Sequence, residues 1–134
     1  MKKIYHTILF FITVFLMQSC YKDIGPIDEG EAPEGNVSFA QHVQPIFDNN
    51  CVSCHGSSGN LNLSPNVSYN NLVNINASGY AGKRVVPNDA DNSILFKKVD
   101  GSGAYGSNMP LGGNLSATQI NIIKQWIDEG AQNN

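Results

Sequence analysis

The stretch Cys51-Val52-Ser53-Cys54-His55 decides how the rest of the chain is read. Two thiols three positions apart fall on one helical turn, with a histidine directly after them. Upstream, Ser38 can cap a helix whose apolar positions Phe39, Val43, Ile46 and Phe47 recur at helical spacing, so the pentapeptide sits at a helix end. Pro45 should disturb or restart that helix, because proline lacks an N–H and its ring clashes with the preceding turn. Three chemistries use paired cysteines of this kind. A thiol oxidoreductase would place them in a βαβ setting, which no neighbouring pattern suggests. A zinc site needs four ligands, and outside carboxylates the mature domain offers only Cys51, Cys54, His42 and His55. Covalent haem needs what is present: two thiols for the two vinyl groups and an adjacent histidine to ligate the iron from the same side.

Composition points the same way. The 134 residues include 13 Gly, 6 Pro, 17 Asn and only 3 Cys. Such a turn-rich chain is a poor builder of large sheets or barrels, and a small domain of this kind needs a staple or a bulky cofactor to supplement its core. Three cysteines cannot form a disulfide network. They divide instead into two for haem thioethers and one, Cys20, at the N-terminal side. The charge balance is 8 Lys and Arg against 11 Asp and Glu, or −3. An acidic domain without a basic run is a poor nucleic-acid ligand. Lys97 and Lys98 read as solvated surface, as do Lys22 and Lys124.

Residues 1–19 have the form of an export signal, with Lys2 and Lys3 before a mostly apolar stretch from Ile4 to Met17 that is short for a membrane span. The stretch ends in Leu16-Met17-Gln18-Ser19-Cys20, which resembles the lipobox of bacterial lipoproteins. That resemblance implies lipid on Cys20 and a lipid-anchored protein of the bacterial cell envelope, facing periplasm or cell surface. Residues 20–36 are acidic and interrupted by Gly and Pro, which predicts a tether with a reach of roughly 20 to 25 Å. The folded domain is expected over 37–134.

Within it the pattern is helical with long loops, and the expected fold class is all-α. Ser64 and Pro65 signal a short helix running to Leu72 and Val73. Asp91 or Asn92 can start another, with Ile94, Leu95 and Val99 as its stripe and Gly101 beyond its end. Ser116 and Gln119 have capping-box spacing ahead of Ile120, Ile122, Ile123, Trp126 and Ile127, and Gly130 marks the stop.

A haem iron held by His55 needs a sixth ligand. Met109 is the only methionine outside the signal segment, and it stands in the Gly-rich loop 106–113 beside Pro110 with no apolar periodicity around it. That setting favours an axial thioether over core filler. His42 lies nine residues before Cys51, about 13 Å back along a helix, and is badly placed for the opposite haem face. A local hydrogen-bonding role suits it better. Arg84, Tyr69, Tyr80 and Trp126 are candidates for the haem propionates, with Arg84 the best placed by chemistry.

From Phe39-Ala40, Val43, Pro45-Ile46-Phe47 through Cys51 to His55, then Pro87, Ser93, Leu95, Met109-Pro110 and finally Leu115-Ser116, Ile120, Trp126-Ile127 and Gly130-Ala131, the chain resembles the class I cytochromes c. The resemblance implies one covalent haem c and a fold whose first and last helices cross. By that analogy Phe47 or Ile46 should meet Ile123, Trp126 or Ile127. The Asn-rich stretch 57–82 has no match in the family pattern. The implied function is single-electron transfer between redox protein partners, with no enzyme activity: no Ser-His-Asp set, phosphate loop or carboxylate pair stands out. The alternative is a haem domain with a labile sixth position that binds or reduces a peroxide or a gas.

Overall fold

The computed structural model describes residues 33–56 and 60–134. The signal segment 1–19, Cys20 and most of the acidic tether lie outside the described residues. Among the described residues there are only helices, turns and three isolated bridges, so the all-α expectation holds. None of these helices is long and apolar enough to cross a membrane.

Ser38 caps the first helical segment as its type predicts, its hydroxyl accepting from the Gln41 N–H at 3.3 Å. The segment is not one continuous α-helix. Phe39–Val43 form a wider π-helical turn, closed by the Gln44 N–H donating to the Phe39 carbonyl, and α1 (Gln44–Asn50) restarts with Pro45 in its first turn. The restart follows from Pro45: its missing N–H costs nothing in a first turn, and the wider turn before it relieves the crowding its ring would cause. A one-turn helix, α2 (Val52–His55), follows directly.

Over its described residues, the Asn-rich stretch takes its turns from its asparagines. Asn60, Asn66 and Asn74 all adopt left-handed backbone, which asparagine tolerates better than other side chains. Ser64 and Pro65 begin a turn rather than a helix, and α3 covers only Ser68–Leu72, because left-handed Asn66 interrupts the helical path. Val73 then bridges Val85, and Asn76 bridges Lys83.

α4 spans Ile94–Val99, and its N-cap is Ser93 rather than Asp91 or Asn92. Asp89 accounts for the difference: its carboxylate accepts from the Asn92 main chain at 3.1 Å and from the Asn92 side chain at 2.7 Å, holding those residues in a preceding turn. The first amides of α4 donate outward, Ile94 to the Lys83 carbonyl and Leu95 to the Arg84 carbonyl.

α5 (Ala117–Asp128) carries the full reciprocal capping box of Ser116 and Gln119. Its end is a Schellman motif: the Gly130 N–H donates to the Ile127 carbonyl, and the Ala131 N–H to the Trp126 carbonyl. Gly130 takes φ +98°, where a side chain would be strained. Ile122, Ile123, Trp126 and Ile127 are all fully buried, and Ile120 flanks them half-buried.

The first and last helical segments meet at Phe39, and Ile46, Phe47, Ile123, Trp126 and Ile127 belong to the same buried cluster. The Phe39 ring lies 5.0 Å from that of Trp126 and 5.4 Å edge-on from that of Tyr69, while Phe47 approaches Phe39 at 6.2 Å. The π turn brings Phe39 to this position ahead of the residues of α1. The polar tips of the cluster are satisfied: Tyr69 Oη donates to the Ala131 carbonyl and Trp126 Nε1 to the Gln132 carbonyl, each at 2.9 Å. Both groups are spent on main chain beyond α5, so neither is available for a haem carboxylate.

Candidate haem site

Cys51 is held at the junction of α1 and α2, its N–H donating to the Phe47 carbonyl at 2.8 Å and its carbonyl accepting from the His55 N–H at 2.8 Å. One turn therefore sets the relative positions of the cysteines and the histidine. The His55 carbonyl accepts from the Leu63 N–H at 2.7 Å, anchoring the end of that turn to the segment leading into α3.

Next to this turn is a cavity of about 260 Å³. Cys51, His55 and Met109 all line it, although the last two stand 54 positions apart in the sequence. Its apolar wall comes from Leu61, Leu63 and Leu72 on one part of the chain and from Ile94, Leu95 and Val99 on α4. Ala77, Ser78 and Tyr80 also contribute, so the Asn-rich stretch is a wall of the site. Cys54 is exposed and is not among the lining residues. His42 is not among them either; its Nδ1 accepts from the Ser38 N–H at 2.9 Å, the local role its position suggested.

These residues fit a covalently held tetrapyrrole. A flat apolar macrocycle needs an apolar slot with a few nitrogen or sulfur donors, which is what the lining supplies. His55 Nδ1 is buried with no hydrogen-bond partner among the described residues, a costly state for an imidazole nitrogen unless a further group meets it. Burial, with Cys54 adding to it, pushes the Cys51 thiol up to about 11. A thiol oxidoreductase needs a stabilised thiolate, so this environment disfavours that chemistry. No three His, Cys, Asp or Glu side chains among the described residues are grouped to hold a metal ion, which leaves the zinc alternative without a ligand set.

Arg84 lines the cavity, yet its guanidinium is engaged with main chain: NH1 donates to the Asn71 carbonyl at 2.7 Å and NH2 to the Asn60 carbonyl at 2.8 Å. It ties α3 itself, at Asn71, to the segment ahead of it, at Asn60. Lys98 is a second cavity residue, and the sequence alone does not single it out. Its ammonium reaches the carbonyls of Tyr105 and Ser107 and the hydroxyl of Tyr80. The expected solvated surface role therefore does not hold for Lys98. No local pattern announces this, because its acceptors lie up to 18 residues away.

Met109 is half-buried at the edge of the core, and its N–H donates to the Lys98 carbonyl at 2.7 Å. Helix α4 thus carries part of the apolar wall and also the residue that fastens the methionine loop.

No curated protein matches the chain, and no solved structure matches it. A family model, described as cytochrome c, matches residues 40–130, from just after Ser38 to the glycine that stops α5. That match spans the Cys51–His55 turn, the cavity wall, the Met109 loop and α5, and the chain accordingly belongs to the cytochrome c family, whose members bind covalently attached haem c and serve haem-based electron transfer.

Proposed function

We propose that this domain is a membrane-tethered monohaem electron carrier of the bacterial cell envelope, with Cys51 and Cys54 as the thioether anchors and His55 and Met109 as the axial ligands. The observation that carries the reading is the convergence of Cys51, His55 and Met109 on one apolar-walled cavity. Bound haem c supplies a one-electron iron couple, and a thioether opposite an imidazole favours the ferrous form, giving a relatively high potential. The chain's own contributions are positional. The α2 turn presents His55 beside the cysteines, and the leucines with Ile94 and Val99 give the slot an apolar wall. Met109 adds to its lining from the later part of the sequence. Filled coordination positions suit a carrier, since constant ligation keeps rearrangement small and denies external ligands a place to bind.

The tether belongs to the same proposal. A lipidated Cys20 followed by an acidic spacer would keep the domain at a membrane surface within reach of donor and acceptor proteins.

The deciding experiment compares wild type with Met109→Ala, both made with a haem-attachment system. The wild type should be low-spin and bind carbon monoxide poorly, while the variant should bind it readily and show a lowered potential. A wild type that binds carbon monoxide freely, with a variant unchanged in spectrum and potential, would make Met109 mere loop packing and favour ligand binding or peroxide reduction. The anchor is tested separately: wild type should fractionate with membranes, and Cys20→Ser should either remain unprocessed or release a soluble domain.

A further inference from the structure

We propose that Lys98 is a positioning residue that holds the Met109 loop closed over the haem cavity, an inference that rests on reading Met109 as the sixth ligand. The loop from Gly101 to Gly113 contains five glycines and no helix, and glycine-rich backbone loses much entropy when it is fixed in one conformation. Something outside the loop must hold it.

Lys98, in the last turn of α4, holds it at three points. An ammonium has three protons to donate, and here it has three acceptors: the Tyr105 carbonyl at 2.7 Å, the Tyr80 hydroxyl at 3.1 Å and the Ser107 carbonyl at 3.3 Å. The same residue's main-chain carbonyl accepts from the Met109 N–H. One residue of a helix therefore grips positions 105 and 107 with its side chain and position 109 with its backbone. The tyrosines complete the arrangement. The ammonium lies 4.8 Å from the centre of the Tyr80 ring, and that ring meets Tyr105 edge-on at 5.3 Å. The cation is consumed in holding the loop, which sets it apart from the surface lysines Lys97 and Lys124, whose partners are carboxylates.

If the loop opens, Met109 leaves the cavity wall and the sixth position becomes accessible, so the rate of external ligand binding reports the open fraction. Lys98→Met keeps the unbranched stem against the cavity and removes all three donors. In the haem-loaded ferrous protein it should bind carbon monoxide at least about tenfold faster than wild type, with a lowered potential, as expected when charge-assisted hydrogen bonds that favour only the closed loop are lost. Tyr80→Phe removes one acceptor of the three and should give a smaller increase in the same direction.

Met109→Ala, measured alongside, separates the two ideas. If it opens the iron while Lys98→Met and Tyr80→Phe stay as closed as wild type, the positioning role is refuted and the ligand assignment stands. If Met109→Ala itself changes nothing, the ligand assignment fails and the positioning role falls with it. A Lys98→Met protein with a lower unfolding midpoint but unaltered potential and carbon monoxide rate would show a purely structural lysine and would also refute the proposal. Should Lys98→Met fail to mature with haem, Tyr80→Phe decides: a faster rate supports the clamp, and a wild-type rate overturns it.

Discussion

The buried contact between Gln44 and Ser68 offers a sharp test of how α1 is fastened to the cavity wall. Gln44 is 8% exposed and Ser68 1%. The amide of Gln44 donates to the Leu63 carbonyl at 3.0 Å and to Asp48 at 2.8 Å, while its carbonyl oxygen accepts from the Ser68 hydroxyl. Leu63 lines the cavity and is also bonded to the His55 carbonyl, so this amide supports the wall directly behind the histidine. Gln44→Met preserves the unbranched shape but leaves the Ser68 hydroxyl and the Leu63 carbonyl without their buried partner. At about 1 to 3 kcal/mol per unsatisfied group, with some return from apolar packing, the loss should be about 2 to 4 kcal/mol. Ser68→Ala alone strips one partner from Gln44 and should cost about 1 to 2 kcal/mol. In the Gln44→Met background the serine hydroxyl is already stranded, so removing it should cost nearly nothing. The double-mutant cycle should therefore show a coupling of about 1 to 2 kcal/mol. Guanidinium unfolding of the haem-loaded proteins, followed by far-UV circular dichroism, measures all four corners. Costs that simply add, within about 0.5 kcal/mol, would mean that the amide and hydroxyl do not depend on one another.

Three other outcomes are expected. Ser116→Ala removes one half of the capping box on α5 and should cost about 1 kcal/mol, lowering the melting temperature by roughly 4 to 8 °C; an unchanged melting curve would mean the cap contributes nothing once α5 is packed. Cys51→Ala combined with Cys54→Ala should yield a poorly folded, haem-free domain, because the cavity loses the group that fills it, and intact-mass measurement with circular dichroism should find neither attached haem nor cooperative unfolding. On the surface, Lys97 hydrogen-bonds Asp91 and holds its carboxyl below the ordinary 3.8, while burial of Asp100 is outweighed by hydrogen bonds from Ser102 and Lys97, which lower it too. Asp91 in turn raises Lys97 above 10.5. A depressed carboxylate contributes stability above its unfolded pKa and loses it as pH falls through the folded value, and a raised lysine keeps its contribution below its unfolded pKa and loses it only as pH rises through the higher folded value. The stability difference between wild type and Lys97→Met should accordingly stay flat between about pH 5 and 9 and shrink below pH 3.8 in acid denaturation.

What the sequence determined by itself was local chemistry. The Cys51–His55 turn, the Ser116 and Gln119 capping box, the Gly130 stop and the helical stripe ending in Ile127 each depend on residues within about one helical turn of each other, so spacing alone specifies them. That Met109 lies at the cavity could be anticipated for a related reason: a lone methionine in a glycine-rich loop stands outside any apolar periodicity. Tertiary structure decided everything that depends on distant acceptors. That Phe39, on the π turn ahead of Pro45, packs against Trp126 is a tertiary contact that periodicity cannot register. That Arg84 pins the wall and Lys98 grips the methionine loop depends on main-chain carbonyls at Asn60, Asn71, Tyr105 and Ser107, and a carbonyl looks the same in every residue of a sequence. The Asn-rich stretch became a cavity wall for the same reason: its asparagines supply the left-handed turns, but only the folded chain brings Leu61, Leu63 and Leu72 to face α4 across one slot.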